Sequence, residues 1–161
     1  MSELIDLLER FRRGPELVAM SITGAAGPEL DFVPAPGKWS VRQILCHLAD
    51  GEIVAAARFR TLLAEDNPLI VAYDQDAWAA NLDYTHRKIA QALETLRHMR
   101  ATTYDLLHAA PEAAFERTGN HSERGSFTLL ELLRLMVEHA EKHCEQISRA
   151  RQKYKASKGK T

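Results

Sequence analysis

Three histidines have the spacing and the setting that metal chemistry requires. His139 and His143 are four residues apart on a predicted helix, so both imidazoles lie on one face, about one turn apart. His47 lies in the middle of another predicted helix, inside an apolar run. Each observation alone is more often explained by a surface histidine or a hydrogen-bonded core histidine. Together, three histidines on two facing helices predict a divalent metal site inside a bundle, with one position left open for water or substrate.

Polar side chains follow two of these histidines on the same helix faces. Asp50 comes three residues after His47, and Gln146 comes three residues after His143. Either side chain could orient an imidazole from outside the ligand shell, and a solvated helix face is the alternative for both. Gly51 also lies on this face, and a glycine inside a helix costs stability. We interpret Gly51 as making room for a ligand or for close helix packing.

The two cysteines are adjacent in sequence to two of the histidines. Cys46 precedes His47 and Cys144 follows His143. Neighbouring residues on a helix differ by about 100° around its axis, so a cysteine and its adjacent histidine cannot point at one ion. We therefore interpret both cysteines as small apolar packing residues.

The remaining histidines have weaker claims to function. His86, His98 and His108 have no partner at ligand spacing and are predicted to lie at the surface. His121 and Arg124 lie in a polar loop and could orient a substrate. However, this loop ends about 16 Å of helix before the nearest predicted ligand. We favour a loop pinned by local contacts and leave both residues out of the catalytic set, whose members the sequence does not identify.

Helical periodicity predicts an all-α protein, a four-helix bundle. Capping boxes begin helices after Ser40 and Thr128, and Gly14-Pro15 divides the first helix. The predicted helices after the divided one span residues 41–64, 83–109 and 129–153. Residues 69–71 are the one run that could be a strand, which is too short to build a sheet, and residues 116–126 read as a loop. A single domain over residues 1–153 and a disordered basic tail over 154–161 complete the prediction.

Composition limits the classes of function. The 161 residues carry a formal net charge of −1, which argues against broad binding of nucleic acid. The longest uncharged stretch, residues 17–28, contains two glycines and is too short to cross a bilayer, so we expect no membrane association. The charged N-terminus lacks a signal-peptide core, and two cysteines do not make a disulfide framework. We therefore expect a cytoplasmic protein.

These motifs together resemble the DinB/YfiT-like family of metal-dependent enzymes, over roughly residues 4–149. The resemblance rests on four segments: PGKWS at 36–40, ILCHLAD at 44–50, HSERG at 121–125 and EHAEKH at 138–143. It implies a DinB-like four-helix bundle and a divalent zinc or nickel ion. By motif position the metal ligands would be His47, His139 and His143. The sequence departs from closer relatives at Lys142 and Gln146, where histidine is common.

The resemblance also implies a class of reaction. Family members with known activity look like thiol-dependent transferases or isomerases, and the label hydrolase is also attached to the fold. We expect a small-molecule substrate, with a low-molecular-weight thiol as the favoured cosubstrate and water as the alternative nucleophile. A non-enzymatic stress-response binding protein stays open as a third reading. A homodimer is expected because the family resemblance implies one. The apolar residues Ile53, Phe59 and Leu63 also exceed what one core is expected to bury.

Overall fold

Four long helices form the body of the molecule. The computed structural model describes residues 3–159. Its long helices are α1 (Glu3–Ser21), α3 (Val41–Ala64), α5 (Ile89–Ala109) and α6 (Leu129–Lys158), with short helices α2 (Gly27–Asp31) and α4 (Gln75–Asn81) between them. The long helices pack in the circular order α1, α5, α3, α6, so α1 lies diagonally opposite α3. The predicted bundle is confirmed. Within residues 3–159 no helix is both long and apolar enough to cross a membrane.

The first helix is continuous, and the predicted division at Gly14-Pro15 is wrong. Pro15 lies inside α1 and cannot donate a hydrogen bond to the carbonyl four residues earlier. That carbonyl, of Phe11, instead accepts a hydrogen bond of 3.1 Å from the Arg100 guanidinium. Because a side chain from α5 replaces the missing donor, the helix passes through the proline without a break.

Capping boxes begin the two helices that carry the histidines, as predicted. The Ser40 hydroxyl accepts from the Gln43 amide, and the Ser40 amide donates to the Gln43 side chain at 2.9 Å. Thr128 and Glu131 make the same reciprocal pair at the start of α6. These caps fix the first residue of each helix and therefore fix which face each histidine occupies.

Helix α6 continues five residues beyond its predicted end. Residues 154–158 of the predicted disordered tail are helical, and residues 160 and 161 lie outside the described residues. The Tyr154 ring packs edge-on against Phe32 at 5.5 Å between centroids. One turn earlier, Arg151 donates to the Glu29 carboxylate at 2.6 Å. These tertiary contacts hold the last turns in place.

The start of α5 also differs from the prediction. The helix begins at Ile89 and not near residue 83, because Asp83 adopts a left-handed conformation with φ of 51°. The Asp83 carboxylate accepts hydrogen bonds from Thr85 and His86, and such local bonds compete with helix formation. Helix α4, capped by Asp74, was missed by the sequence analysis.

A small sheet occupies the segments that were expected to be loop. Strand β1 (Leu69–Ile70) pairs in parallel with β2 (Thr118–His121), which forms an antiparallel hairpin with β3 (Gly125–Thr128). The predicted absence of a sheet is therefore wrong, although this one is small. Gly119 permits close packing on the bundle, because a Cβ there would lie 2.7 Å from the Leu62 side chain of α3.

The bundle interior has an apolar cluster towards each end and a polar layer between them. One cluster contains Phe11 and Phe59, and the other contains Val18 and Ile44. The intervening stretches of the long helices carry buried polar groups, which include His47, Glu52, Arg100 and Thr103. A polar layer inside a bundle is costly unless every group has a partner. Its contents therefore point to the functional site.

Candidate metal centre

The structure brings His47, His139 and His143 together in this polar layer. One ring nitrogen from each residue lies within 4.8 Å of the others. The Nε2 atoms of His47 and His139 are 3.0 Å apart, and His143 completes the group with its ring centroid 4.5 Å from that of His139. Two nitrogens bound to one tetrahedral zinc ion are about 3.3 Å apart. The three imidazoles therefore fit a single divalent ion.

Burial keeps these imidazoles in the form that binds metal. Burial lowers the pKa of His47 to about 4, with a further contribution from His143. Burial and the two neighbouring histidines lower the pKa of His139 to about 3, and burial also lowers the pKa of His143. Neutral imidazoles offer lone pairs at neutral pH. Within residues 3–159, no fourth histidine, cysteine or carboxylate joins the group.

This burial makes the metal-free protein sensitive to acid. A histidine with a lowered pKa when folded takes up a proton more readily when unfolded, so stability falls as the pH drops from about 6.5 towards the folded pKa. We expect His47 and His139 each to remove about 1–2 kcal/mol of unfolding free energy between about pH 7 and pH 5. Urea unfolding in the presence of a chelator measures this loss. His139→Gln should reduce the pH dependence of the unfolding free energy, and His98→Gln is the exposed control. A wild-type unfolding free energy that does not change between these pH values would contradict the argument.

Gln146 orients one of the three rings. Its side-chain oxygen lies 2.8 Å from His143 Nδ1 and accepts the hydrogen from that nitrogen. This contact leaves Nε2 of His143 with its lone pair free for an ion. Gln146 thus contacts the His143 ring, and its role in orienting that ring at a metal centre stays a prediction.

Gln146→Leu is expected to weaken zinc binding about 10–100-fold, because the His143 ring loses the acceptor that fixes its tautomer and orientation. A competition titration against a fluorescent zinc chelator measures this affinity. Gln152→Leu, an exposed change later on the same helix, serves as the control. Unchanged zinc affinity in Gln146→Leu would show that this hydrogen bond does not support the centre.

Within residues 3–159, no hydrogen bond joins Asp50 to an imidazole. Its carboxylate accepts from the Tyr84 hydroxyl at 2.8 Å and from Arg87 at 2.7 Å. Both partners belong to the segment between α4 and α5, so Asp50 ties that segment to α3. Asp50 is therefore close to the centre, but the structure gives it an anchoring contact in place of the ring-orienting one.

A pocket of about 470 Å³ opens beside the histidine cluster. Gly51 and His139 line it, together with Tyr73, His121 and Arg124 among others. A Cβ on Gly51 would lie 3.4 Å from the Tyr73 hydroxyl and 3.7 Å from the His139 ring. These are ordinary contact distances, so Gly51 lies against both the tyrosine and the histidine without being required for their approach.

The polar loop reaches this pocket because it folds back as the β2–β3 hairpin. His121 and Arg124 both line the same pocket as His139, so the helical distance that argued against them does not separate them from the site. The sequence did not predict this hairpin, because the hairpin depends on pairing with β1, about fifty residues earlier. Tyr73 and Arg58, which also line the pocket, were missed for a similar reason: they carry no spacing signal.

A buried ion pair lies in the same polar layer and was also missed. Arg100 of α5 makes a two-point ion pair with Glu52 of α3, at 2.7 Å and 2.5 Å. The Arg100 guanidinium also lies 4.0 Å from the centroid of the Phe11 ring, and a Cβ on Gly14 would lie 2.9 Å from it. Gly14 and Pro15 thus form part of a socket for Arg100. The sequence feature that could have indicated this ion pair is an arginine at a core position of α5, between Leu96 and Thr103.

The other titratable candidates lie where the sequence analysis placed them. His86, His98 and His108 are exposed. Cys46 is buried with its thiol near the Tyr84 carbonyl, and burial raises the pKa of both cysteine thiols. Neither cysteine belongs to the histidine group.

Comparison with known proteins identifies the class. The profile of the DinB superfamily matches residues 10–147. The chain therefore belongs to the DinB superfamily, as the motifs indicated.

Several similar proteins are named as metal-dependent hydrolases. A protein of Oceanobacillus iheyensis named "putative metal-dependent hydrolase" is 29% identical over 134 residues, which is 83% of this chain and 77% of that protein. A Bacillus mycoides protein of the same name is 28% identical over 152 residues, covering 94% and 87% of the two chains. Among solved structures, YfiT from Bacillus subtilis matches with a TM-score of 0.89 and 25% identity, over 96% of this chain and 90% of that one. It is described as a probable metal-dependent hydrolase with an unusual four-helix bundle topology.

Proposed function

We propose that this protein is a metal-dependent enzyme in which His47, His139 and His143 hold a divalent zinc or nickel ion. We further propose that the ion activates the sulfur of a small thiol, which makes the protein a thiol-dependent S-transferase. The observation that carries the proposal is the meeting of three neutral imidazoles beside a pocket, with no fourth ligand among residues 3–159. Closed four-ligand sites are structural, whereas three-ligand sites keep a position for chemistry.

The chain supplies binding and positioning to this chemistry. When bound, such an ion lowers the pKa of a coordinated water or thiol, so that an anionic nucleophile is available at neutral pH. His139 lines the pocket and so brings the centre to its wall, next to Gly51. Gln146 accepts a hydrogen bond from the His143 ring, and the Tyr73 hydroxyl, like His139, lies beside Gly51 and can donate a hydrogen bond.

Two observations bear on the nucleophile. The pocket volume of about 470 Å³ falls within the range of small-molecule sites, so a small thiol would fit there. Zinc and nickel both accept thiolate sulfur as a ligand. Hydrolysis, with water as the nucleophile, is the second candidate, because the relatives are named metal-dependent hydrolases.

A parallel assay tests the proposal. Protein purified without a histidine tag is loaded with zinc or nickel, and a panel of small thiols is offered with an electrophilic aryl halide while a panel of esters and amides is offered without thiol. We expect thiol conjugation that disappears with a chelator and returns with the metal. Hydrolysis without thiol would move the assignment to the hydrolase, and conjugation that survives complete metal removal would overturn the mechanism. Inactivity in both panels would favour a stress-response binding protein.

We also propose that the protein is a cytoplasmic homodimer that acts on a small molecule. Of the three residues that prompted the dimer, Phe59 is fully buried and Leu63 packs against the core, so that part of the argument no longer holds. Ile53 is 46% exposed and still offers an apolar contact.

The expected mass in solution is that of a dimer. Light scattering at micromolar concentration measures it directly. Ile53→Lys is expected to shift the mass towards that of one 18.1 kDa chain, because it places a charge in the proposed contact. A monomeric wild type would contradict the proposal.

A further inference from the structure

The pocket beside the histidine cluster has two arginines that form no ion pair within residues 3–159. Arg58 of α3 and Arg124 of the β2–β3 turn both line it. The other pocket charges have partners: Arg134 pairs with Glu3, Glu138 pairs with Lys142, and Glu131 caps α6. Within residues 3–159, neither Arg58 nor Arg124 forms an ion pair. The exposed Glu123 offsets at most one of the two charges.

Arg58 is held in place and is partly withdrawn from water. Its Nη2 donates to the Val71 carbonyl at 2.7 Å, and its guanidinium lies 5.9 Å from the centroid of the Tyr73 ring. These contacts fix the side chain but do not neutralise it. Burying a charge is costly unless it is paired, so a positioned and unneutralised guanidinium is a binding group for an anion.

Arg58 and Arg124 line the same pocket, so their charges act on one another. Burial lowers the pKa of Arg58, and the charge of Arg124 lowers it further. Burial and then these two arginines lower the pKa of His121, which lines the same pocket. Like charges repel one another in the free protein, and a bound anion relieves that repulsion.

We propose that Arg58 and Arg124 form the binding site for an anionic group, a carboxylate or a phosphate, of the molecule that occupies this pocket. The site lies away from the centre along α3, because Arg58 follows Gly51 by seven residues, or about 10 Å of helix. The ligand therefore carries its reacting end at the histidines and its anionic end about two helical turns away. This inference rests on the proposed function for the reacting end, but the anion site itself requires no metal.

Calorimetric titration of the metal-free protein tests the site without any reaction. One probe is S-methylglutathione, which carries two carboxylates and no free thiol. Its diethyl ester is the neutralised counterpart, and inorganic phosphate is the second anion. The variants are Arg58→Gln and Arg124→Gln, with Arg149→Gln as the control, since that exposed arginine has the same charge and lies outside the pocket residues.

We expect S-methylglutathione to bind, the diethyl ester to bind at least tenfold more weakly, and each pocket variant to weaken binding of the diacid about tenfold. Arg149→Gln should bind like the wild type. Phosphate binding that depends on the same two arginines, without binding of the diacid, would assign the anion as a phosphate. Equal affinity in all four proteins, or no binding of either anion at millimolar concentration, would overturn the inference.

The same measurements separate this inference from the proposed function. Anion binding that depends on Arg58 and Arg124, together with absence of thiol transfer in the loaded protein, would reject the transferase and retain the site. Thiol transfer that is unaffected by either substitution would retain the transferase and reject the site. Arg124 is exposed on a turn, so Arg124→Gln provides the test even if Arg58→Gln alters the packing of α3.

Discussion

His143→Ala is expected to remove the bound metal almost completely. The substitution deletes one of three ligands, which should cost more than the roughly 100-fold upper limit for loss of an outer hydrogen-bond partner. Metal per chain, measured by plasma mass spectrometry after purification without a histidine tag, should fall close to zero. In a zinc titration, the affinity for zinc should be lowest for His143→Ala, intermediate for Gln146→Leu and highest for the wild type.

His98→Ala is the matched control, because His98 is exposed on α5. It should bind as much metal as the wild type and with the same affinity. Full metal occupancy in His143→Ala would show that the ligand assignment is wrong.

Loss of one partner of the Arg100–Glu52 pair is expected to cause the largest loss of stability. Their side chains are 2% and 1% exposed, so Arg100→Met or Glu52→Met alone leaves an unpaired charge in the core. The expected cost is about 3–5 kcal/mol of unfolding free energy for each single variant. Urea unfolding of the metal-free protein measures the difference. Arg100→Met should lose more stability than Glu52→Met. The Phe11 carbonyl, which has no donor from Pro15, also loses its hydrogen bond from Arg100.

The double variant distinguishes a buried charge from lost packing. If the unpaired charge causes the loss, Arg100→Met combined with Glu52→Met should be more stable than the sum of the single losses predicts, because neither charge remains. Glu138→Gln, which breaks the exposed pair with Lys142, should hardly change stability. Additive losses in the double variant would contradict the explanation.

Local patterns in the sequence were sufficient to predict a bundle of four long helices and the histidine cluster. Ser40 and Thr128 begin helices because their caps involve residues only three positions away. His139 and His143 share a face because both lie on one uninterrupted helix. His47 could be assigned to the same interior because its neighbours on α3 are apolar.

Contacts between distant segments were not accessible to the same reasoning. Glu52 meets Arg100 across 48 positions, and that contact explains why Pro15 does not break α1. The β2–β3 hairpin lacks an apolar alternation and is stabilised by pairing with Leu69 and Ile70. Because this pairing was not predicted, His121 and Arg124 were expected to lie too far from the centre to take part in it. The same limit concealed Tyr73, which reaches Gly51 only through the fold.

Anomalous diffraction at the zinc or nickel absorption edge, from crystals of the metal-loaded protein, tests the central claim most directly. The account predicts one strong peak per chain, about 2.0–2.3 Å from a single nitrogen of each of His47, His139 and His143, with the remaining position facing the pocket. A peak at another place, or a fourth protein ligand that closes the coordination sphere, would contradict it.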